Sequence, residues 1–218
     1  MNDITTNTVN GLRGYTPEDD AKRGWKEETT DGGPIVYRNP RIGSVTIGLT
    51  PMDFDQPLLQ VTPGVPVLGY QFKDDGELYF LALYARRFNI EGGDRLPEVS
   101  GGFVHVNIET GEKELPRSGA LRELLEETGL DLNIVTPAYG NPFVADRALF
   151  YKGEGDGNTV YFFELGPGQI AHVDLQDNLE MIHWTDFTYQ TADAITLAAI
   201  QRVMGALYTM GKLKVSKA

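Results

Sequence analysis

The sequence predicts an α+β fold, a mixed β-sheet with helices packed on it, preceded by a β-rich N-terminal extension. Three observations predict it. Short runs rich in β-branched and aromatic residues recur from residue 35 to about residue 105 and again after residue 130. A single amphipathic helical segment, "LPRSGALRELLEETGLDL", separates the two groups. A second, longer helical segment, "TADAITLAAIQRVMGALYTMGKL", closes the chain. Strands and helices do not alternate regularly, which argues against a doubly wound nucleotide fold.

Taken in order, residues 1–32 are polar and rich in Gly and Asp, composition that favours a loose or partner-dependent segment. Ile35–Arg38 and Ser44–Leu49 read as short strands separated by a turn at Asn39-Pro40. "TPGVPVLGYQF" and "LYFLALYARRF" flank "KDDGE", a hairpin with Asp-Gly at its turn. "GGFVHVNIETGEKE" reads as a strand followed by a glycine-containing turn. Pro116 fits the first turn of a helix, Leu121, Leu124 and Leu125 supply its apolar stripe, and Gly129 suits its C-terminal stop. "LNIVTPAYG", "RALFYK", "TVYFFEL" and "LEMIHWTDF" then read as strands. The division expected is an extension over residues 1–60 and one main domain over 61–218.

The chain has 218 residues and a net charge of −12, with a pI near 4.6. An acidic surface with no basic stripe repels a nucleic-acid backbone, so no nucleic-acid partner is expected. No run of eighteen apolar residues exists and no membrane association is expected. The absence of cysteine excludes disulfides and thiolate metal sites. With no basic-then-apolar leader, a cytoplasmic location is the simplest reading.

The chemistry concentrates in "RELLEETGL". On a helix, Glu123, Glu126 and Glu127 project to one side, and two of them lie at the C-terminal end that the helix dipole makes unfavourable for anions. Each like-charge pair costs roughly 0.2–0.5 kcal/mol, and Arg122, four residues before Glu126, offsets only part of it. Such runs are commonly a solvated face. A divalent cation bound by carboxylates, with positions left for water and phosphate oxygens, would also relieve the repulsion. His105, His172 and His183 have no metal-ligand spacing, and no Gly-x-Ser-x-Gly elbow supports a serine hydrolase.

This segment resembles the Nudix box, whose form is Gly, five residues, Glu, seven residues, then Arg-Glu-apolar-any-Glu-Glu-any-Gly-apolar. Glu114, Arg122, Glu123, Leu124, Glu126, Glu127, Gly129 and Leu130 match it. The first glycine departs: the pattern places it at Ile108, and the nearest match is six residues upstream, at Gly102. "HVNIETGE" therefore reads as a lengthened hairpin inside the box. "RLPEVSGGFV" resembles a segment of ADP-ribose and nucleotide-sugar pyrophosphatases, and the closing helix resembles theirs.

The resemblance implies a Nudix-type α/β/α sandwich and hydrolysis of a nucleoside diphosphate derivative with Mg²⁺ or Mn²⁺. ADP-ribose or a nucleotide sugar is the first choice of substrate; a dinucleotide, a nucleoside triphosphate, or a sensing module without catalysis are the alternatives. It implies Glu123, Glu126, Glu127, Glu114 and the Gly101 backbone as metal ligands, with Arg122 orienting the cluster. Glu154, set among glycines with Asp156 nearby, is the first choice for the general base, with Asp146 a second. Arg86, Arg87, Glu98 and Gly102 are substrate-binding candidates. The strands at 35–60 resemble elements that such enzymes use to form a homodimer.

Overall fold

The computed structural model describes residues 26–28, 35–39, 43–47, 58–61, 63–86, 95–107, 109–138 and 157–213. The readings made for Arg87, Asp146, "RALFYK", Glu154 and Asp156 lie outside the described residues. So does the side chain of Arg86.

Strands β1 (Lys26–Glu27), β2 (Ile35–Asn39), β3 (Gly43–Ile47) and β4 (Leu58–Val61) form a four-stranded antiparallel meander in sequence order. In backbone register Tyr37 pairs with Val45, and Val45 with Leu59. Both strands read from the β-rich runs at 35–49 are present, and Lys26–Glu27, expected to be loose, pairs with Arg38 and Tyr37.

The larger sheet contains β5 (Val67–Phe72), β6 (Leu78–Arg86), β7 (Arg95–Glu98), β8 (Thr136–Pro137), β9 (Tyr161–Glu164) and β10 (Leu179–His183). Its order is β10-β6-β5-β9-β8, with β7 also paired to β6. The β5–β9 pair is parallel and the others are antiparallel, so the sheet is mixed. β5 and β6 form the expected hairpin, with Gly76 at φ 86° in its turn. One half of β6 pairs with β5 through Leu78–Phe80, and the other half pairs with β7 through Leu83–Arg86. Beyond β7 the chain runs beside the start of β5, where Val67 N donates to Ser100 O at 2.7 Å and Val65 N to Gly102 O at 2.9 Å.

Helices α1 (Pro116–Thr128), α2 (Pro167–Val173), α3 (Trp184–Gln190) and α4 (Ala194–Thr209) cover this sheet. Strand alternation divides the interior into two cores. Val67, Leu81, Tyr161 and Phe163 pack with Ala120 and Leu124 of α1 and Val173 of α2. Leu68, Phe80, Ala82 and Phe162 pack with Phe187 of α3 and Ala199, Ile200 and Val203 of α4. The result is an α/β/α sandwich, as the resemblance implies.

Four local expectations change. The α1 stripe keeps Leu121 and Leu124 but not Leu125, which is 47% exposed; Gly119, Ala120 and Thr128 also face inward. Small residues at 119 and 120 let the helix backbone approach the sheet, which rotates Leu125 outward. Residues 101–107 form isolated bridges and a turn, not a strand; the strand lies earlier, at β7. "WTDF" belongs to α3, not to β10. α2, unanticipated, starts with Pro at its first turn and a Gln169 side chain that accepts from Gly166 N.

Candidate active site

α1 presents the acidic cluster. Pro116 opens the helix without losing a needed N–H, and Gly129, at φ 71°, closes it by donating its N–H to Leu125 O at 2.9 Å. The dipole penalty at this end is partly met by donors. Thr128 Oγ1 donates to Leu124 O at 2.6 Å, and His172 Nε2 bonds Thr128 O at 2.8 Å.

The three glutamates have different surroundings. Glu127 points at the chain leaving β7, accepting from Ser100 Oγ and Gly101 N, both at 2.8 Å, on a single oxygen, Oε2. Burial pushes its carboxyl above the usual range; those two hydrogen bonds oppose the shift, and the charges of Glu123 and Glu98 add to it. Glu123 is largely covered and Glu126 is 58% exposed. Arg122 gathers the rest. Its Nη1 donates to Glu123 Oε1 at 2.7 Å and Glu126 Oε2 at 3.3 Å, and its Nε and Nη2 donate to Glu114 at 3.2 and 3.1 Å. Nη2 also reaches Phe103 O at 3.0 Å.

Burial alone would lower the pKa of Arg122, but its hydrogen bonds to Glu114 and Glu123 and their charges overcome this and raise it. Burial likewise works to raise Glu114. Arg122 and the His105 N–H, 3.2 Å from Oε2, outweigh it and hold Glu114 below the usual carboxylate range.

The lengthened hairpin brings Glu114 here. Val106 pairs with Lys113, Asn107 N donates to Glu112 O at 2.8 Å, and Gly111 turns the chain at φ 72°. Glu114 N then donates to His105 O at 2.9 Å, so the extra residues loop outward and return the chain to the register Arg122 requires.

Glu127, Glu98, Gly101 and Gly102 line a cleft of about 330 Å³, whose other walls include Val65, Phe103, Asn158 and Asp193. Glu98, at the end of β7, is 5% exposed. A Cβ at Gly102 would run into the carboxylate of Glu123, and one at Gly101 would meet Pro66 Cα at 2.7 Å. Glycine at 102 thus leaves the space that the carboxylate takes. Across the sheet, Thr196 of α4 anchors the same loop: its Oγ1 accepts from Val99 N at 2.9 Å and donates to Asp193 at 2.7 Å.

Carboxylates of Glu98, Glu127 and Asp193 line the cleft, and carboxylate oxygen is the ligand chemistry of a hard divalent cation. Among the described residues no three acidic or histidine side chains are already gathered as a metal cage. Arg122 occupies Glu114, Glu123 and Glu126 in that role of counter-charge, while Glu127 turns to Ser100 and Gly101. The residue types fit such an ion. The histidines do not take part: His183 lies in β10 and bonds Glu77 and Thr185, and His172 holds the end of α1.

No family model and no curated protein matches the chain. Among solved structures, a mutT/nudix family protein from Listeria innocua aligns over 72% of this chain and 99% of its own, with a TM-score of 0.52 and 17% identity. The chain has the Nudix fold. It is also similar to the NUDIX domain of NrtR from Shewanella oneidensis, solved with ADP ribose, at 20% identity, coverage of 72% and 93%, and a TM-score of 0.46. An ADP compounds hydrolase is 14% identical over 87% of this chain and 94% of its own, with a TM-score of 0.46.

Within this Nudix fold, Glu98, Gly101, Gly102, Glu114, Arg122, Glu123, Glu126 and Glu127 come together around one helix and one loop. Arg86 pairs through its backbone with Arg95 at the far end of β6. Ser100, Asn158, Asp193 and Thr196 also belong to the site or hold its loop, and sequence reading missed them. Only Asp193 carried a signal, as an N-cap residue before the closing helix. Among the described residues no helix is long and apolar enough to cross a membrane.

Proposed function

We propose that this chain is a divalent-cation-dependent Nudix pyrophosphohydrolase acting on a nucleoside diphosphate derivative, with ADP-ribose or a nucleotide sugar as its substrate class. The observation that carries the reading is Glu127, a desolvated carboxylate on the box helix fixed by Ser100 and Gly101 at the edge of a cleft. A structural helix gains nothing from burying an anion beside Glu123 and Glu98.

In this reading Glu123, Glu126, Glu127, Glu114 and the Gly101 carbonyl hold Mg²⁺ or Mn²⁺. The bound ion would neutralise the diphosphate charge and polarise its phosphoryl oxygens. Arg122 bridges Glu114, Glu123 and Glu126 and holds them in register before the ion arrives. Ser100 and the Gly101 N–H fix one oxygen of Glu127 and leave the other for the ligand. Glu154 takes the proton of a water whose oxygen attacks phosphorus, while the anhydride P–O bond breaks and its electron pair leaves on the second phosphate. Gly102 gives close backbone approach, Glu98 contacts the sugar end, and one of Arg86 and Arg87 binds the diphosphate.

Residues 1–60 act as a dimerisation extension whose meander pairs with a second copy, and residues 61–218 as the hydrolase domain. A cytoplasmic location fits the cysteine-free composition.

The test is incubation of the full chain with ADP-ribose, nucleotide sugars, dinucleotides and nucleoside triphosphates, with and without Mg²⁺ or Mn²⁺, and identification of the products. Metal-dependent release of two phosphate-bearing products from a diphosphate-linked compound is expected. Binding without cleavage would make the chain a sensing module. Neither binding nor cleavage of any would overturn the proposal.

A further inference from the structure

Asn158 stands out in the cleft. It is 2% exposed, lies just before β9, and lines the cleft together with Glu98, Glu127 and Asp193. Its Nδ2 is a buried donor with no hydrogen-bond partner, the one such side-chain atom among the described residues. A buried amide donor left without a partner is destabilising, and folded proteins keep few of them.

Its placement is built. Thr159 N donates to Gly64 O at 2.9 Å, clamping the start of β9 to the segment before β5. The amide lies against Gly64 so closely that a Cβ there would collide with its oxygen and come within 2.9 Å of its Cγ. A glycine at 64 is therefore what lets the Asn158 side chain occupy this position. Gly64 is also bridged to Phe103, and Gly64, Phe103 and Asn158 all line the cleft.

We propose that Asn158 is a ligand-binding, specificity-determining residue whose Nδ2 donates to an uncharged acceptor, a carbonyl oxygen, ring nitrogen or hydroxyl, on the nucleoside end of the substrate. The geometry favours that end over the diphosphate. Val65, Pro66, Phe103 and Ile195 add apolar lining to the cleft, suited to a nucleoside. An anionic oxygen placed there would share a confined space with the carboxylates of Glu98, Glu127 and Asp193. A donor that already lacks a partner also discriminates strongly: a ligand with the acceptor satisfies it, and one without leaves it buried and unpaired.

This inference rests on the proposed function, and the experiment separates the two. Asn158→Leu, close to isosteric, and Asn158→Ala are compared with wild type in the full chain. Two readouts are taken: Tm without ligand, and affinity for ADP-ribose and for inorganic pyrophosphate, each with Mg²⁺. Asn158→Leu is expected to melt at or above the wild-type Tm, because it removes an unpaired donor. It should lose about tenfold or more in ADP-ribose affinity and leave pyrophosphate affinity unchanged.

A purely structural asparagine predicts the reverse, a lower Tm with proportionate ligand affinities, and that result overturns the inference. So does equal loss of pyrophosphate affinity, which would assign the amide to the diphosphate. Wild-type affinity for ADP-ribose retained in both variants sinks the inference alone. If wild type binds neither probe with Mg²⁺, the functional reading and this inference fall together.

Discussion

Glu127 carries a conflict that a single substitution can expose. Its carboxylate is penalised by burial and by Glu123 and Glu98, yet it accepts two hydrogen bonds from Ser100 and Gly101. Glutamine keeps an acceptor oxygen for those bonds and removes the charge. Glu127→Gln is therefore expected to leave the Mg²⁺-free Tm unchanged or higher. It should abolish the rise in Tm that a ligand binding the folded state produces, which for wild type is worth about 2.7 kcal/mol at a hundredfold excess over Kd. Thermal melts of both proteins against Mg²⁺ concentration check this; an undiminished Mg²⁺ response in the variant would remove Glu127 from the metal site. At this scale the sequence was informative wherever charge spacing alone carries meaning. Arg122 and the three glutamates sit at fixed helical intervals with Glu114 upstream of the helix, and Arg122 joins Glu114, Glu123 and Glu126. Ser100 and Asn158 were not legible, because their significance comes from what lies opposite them: a carboxylate 27 residues on for Ser100, and for Asn158 a glycine far earlier in the chain.

At the level of the element, α1 reaches the sheet by a face other than the leucine count suggests. Leu124 is fully buried against Val65, Val67 and Leu81, while Leu125, its neighbour, is 47% exposed. Leu124→Ala is expected to cost about 2–5 kcal/mol, the range for a truncated core leucine. Leu125→Ala should stay within about 0.5 kcal/mol, as surface changes do. Urea melts of the two variants check the contrast, and comparable losses would mean that the helix is rotated from the position described. The element was legible in its start, its stop and its type, since Pro116 and Gly129 act locally. Its rotation was not, because burial follows how closely Gly119 and Ala120 let the backbone approach, and hydrophobicity does not report that. The same limit explains α3 and α2. Aromatic residues in "WTDF" favour strands in general, yet Phe187 fills the core from a helix, and seven residues of α2 are too few to show a period.

Over the whole molecule, the β5–β6 hairpin, α1, β9, β10 and the closing helix were readable in order, whereas α2, α3 and the division of β6 between β5 and β7, which delivers Glu98 and Ser100 to α1, were not. It depends on pairings between distant segments that no local pattern encodes. The chain's end is tied back by another such long-range contact. Lys212, just past α4, bonds Glu164 at the end of β9 and, at 3.0 Å, the hydroxyl of Tyr70 in β5. The hydrogen bond from Lys212 is the main cause holding the Glu164 carboxyl below its ordinary value of 4.5. Glu164 in turn is the main cause pushing Lys212 from 10.5 up to about 12. The signs are opposite for the two groups. Glu164, depressed on folding, contributes stability above 4.5 that is lost as pH falls through its folded value. Lys212, raised on folding, contributes below 10.5 and loses its contribution as pH rises through about 12. The bridge therefore acts at full strength between these limits. Because both ends are substantially solvent-exposed, it is worth no more than about 1 kcal/mol. Lys212→Met is expected to lower stability by that small amount, constant across neutral pH, and the gap to wild type should close in acid as Glu164 protonates. Urea melts of both proteins from neutral pH down to about pH 3, at low salt, measure it. A gap that stays constant through the acid limb would show that Lys212 stabilises the chain through Tyr70, whose hydroxyl its ammonium bonds at 3.0 Å and whose ring centroid lies 5.6 Å away, and not by its charge on Glu164.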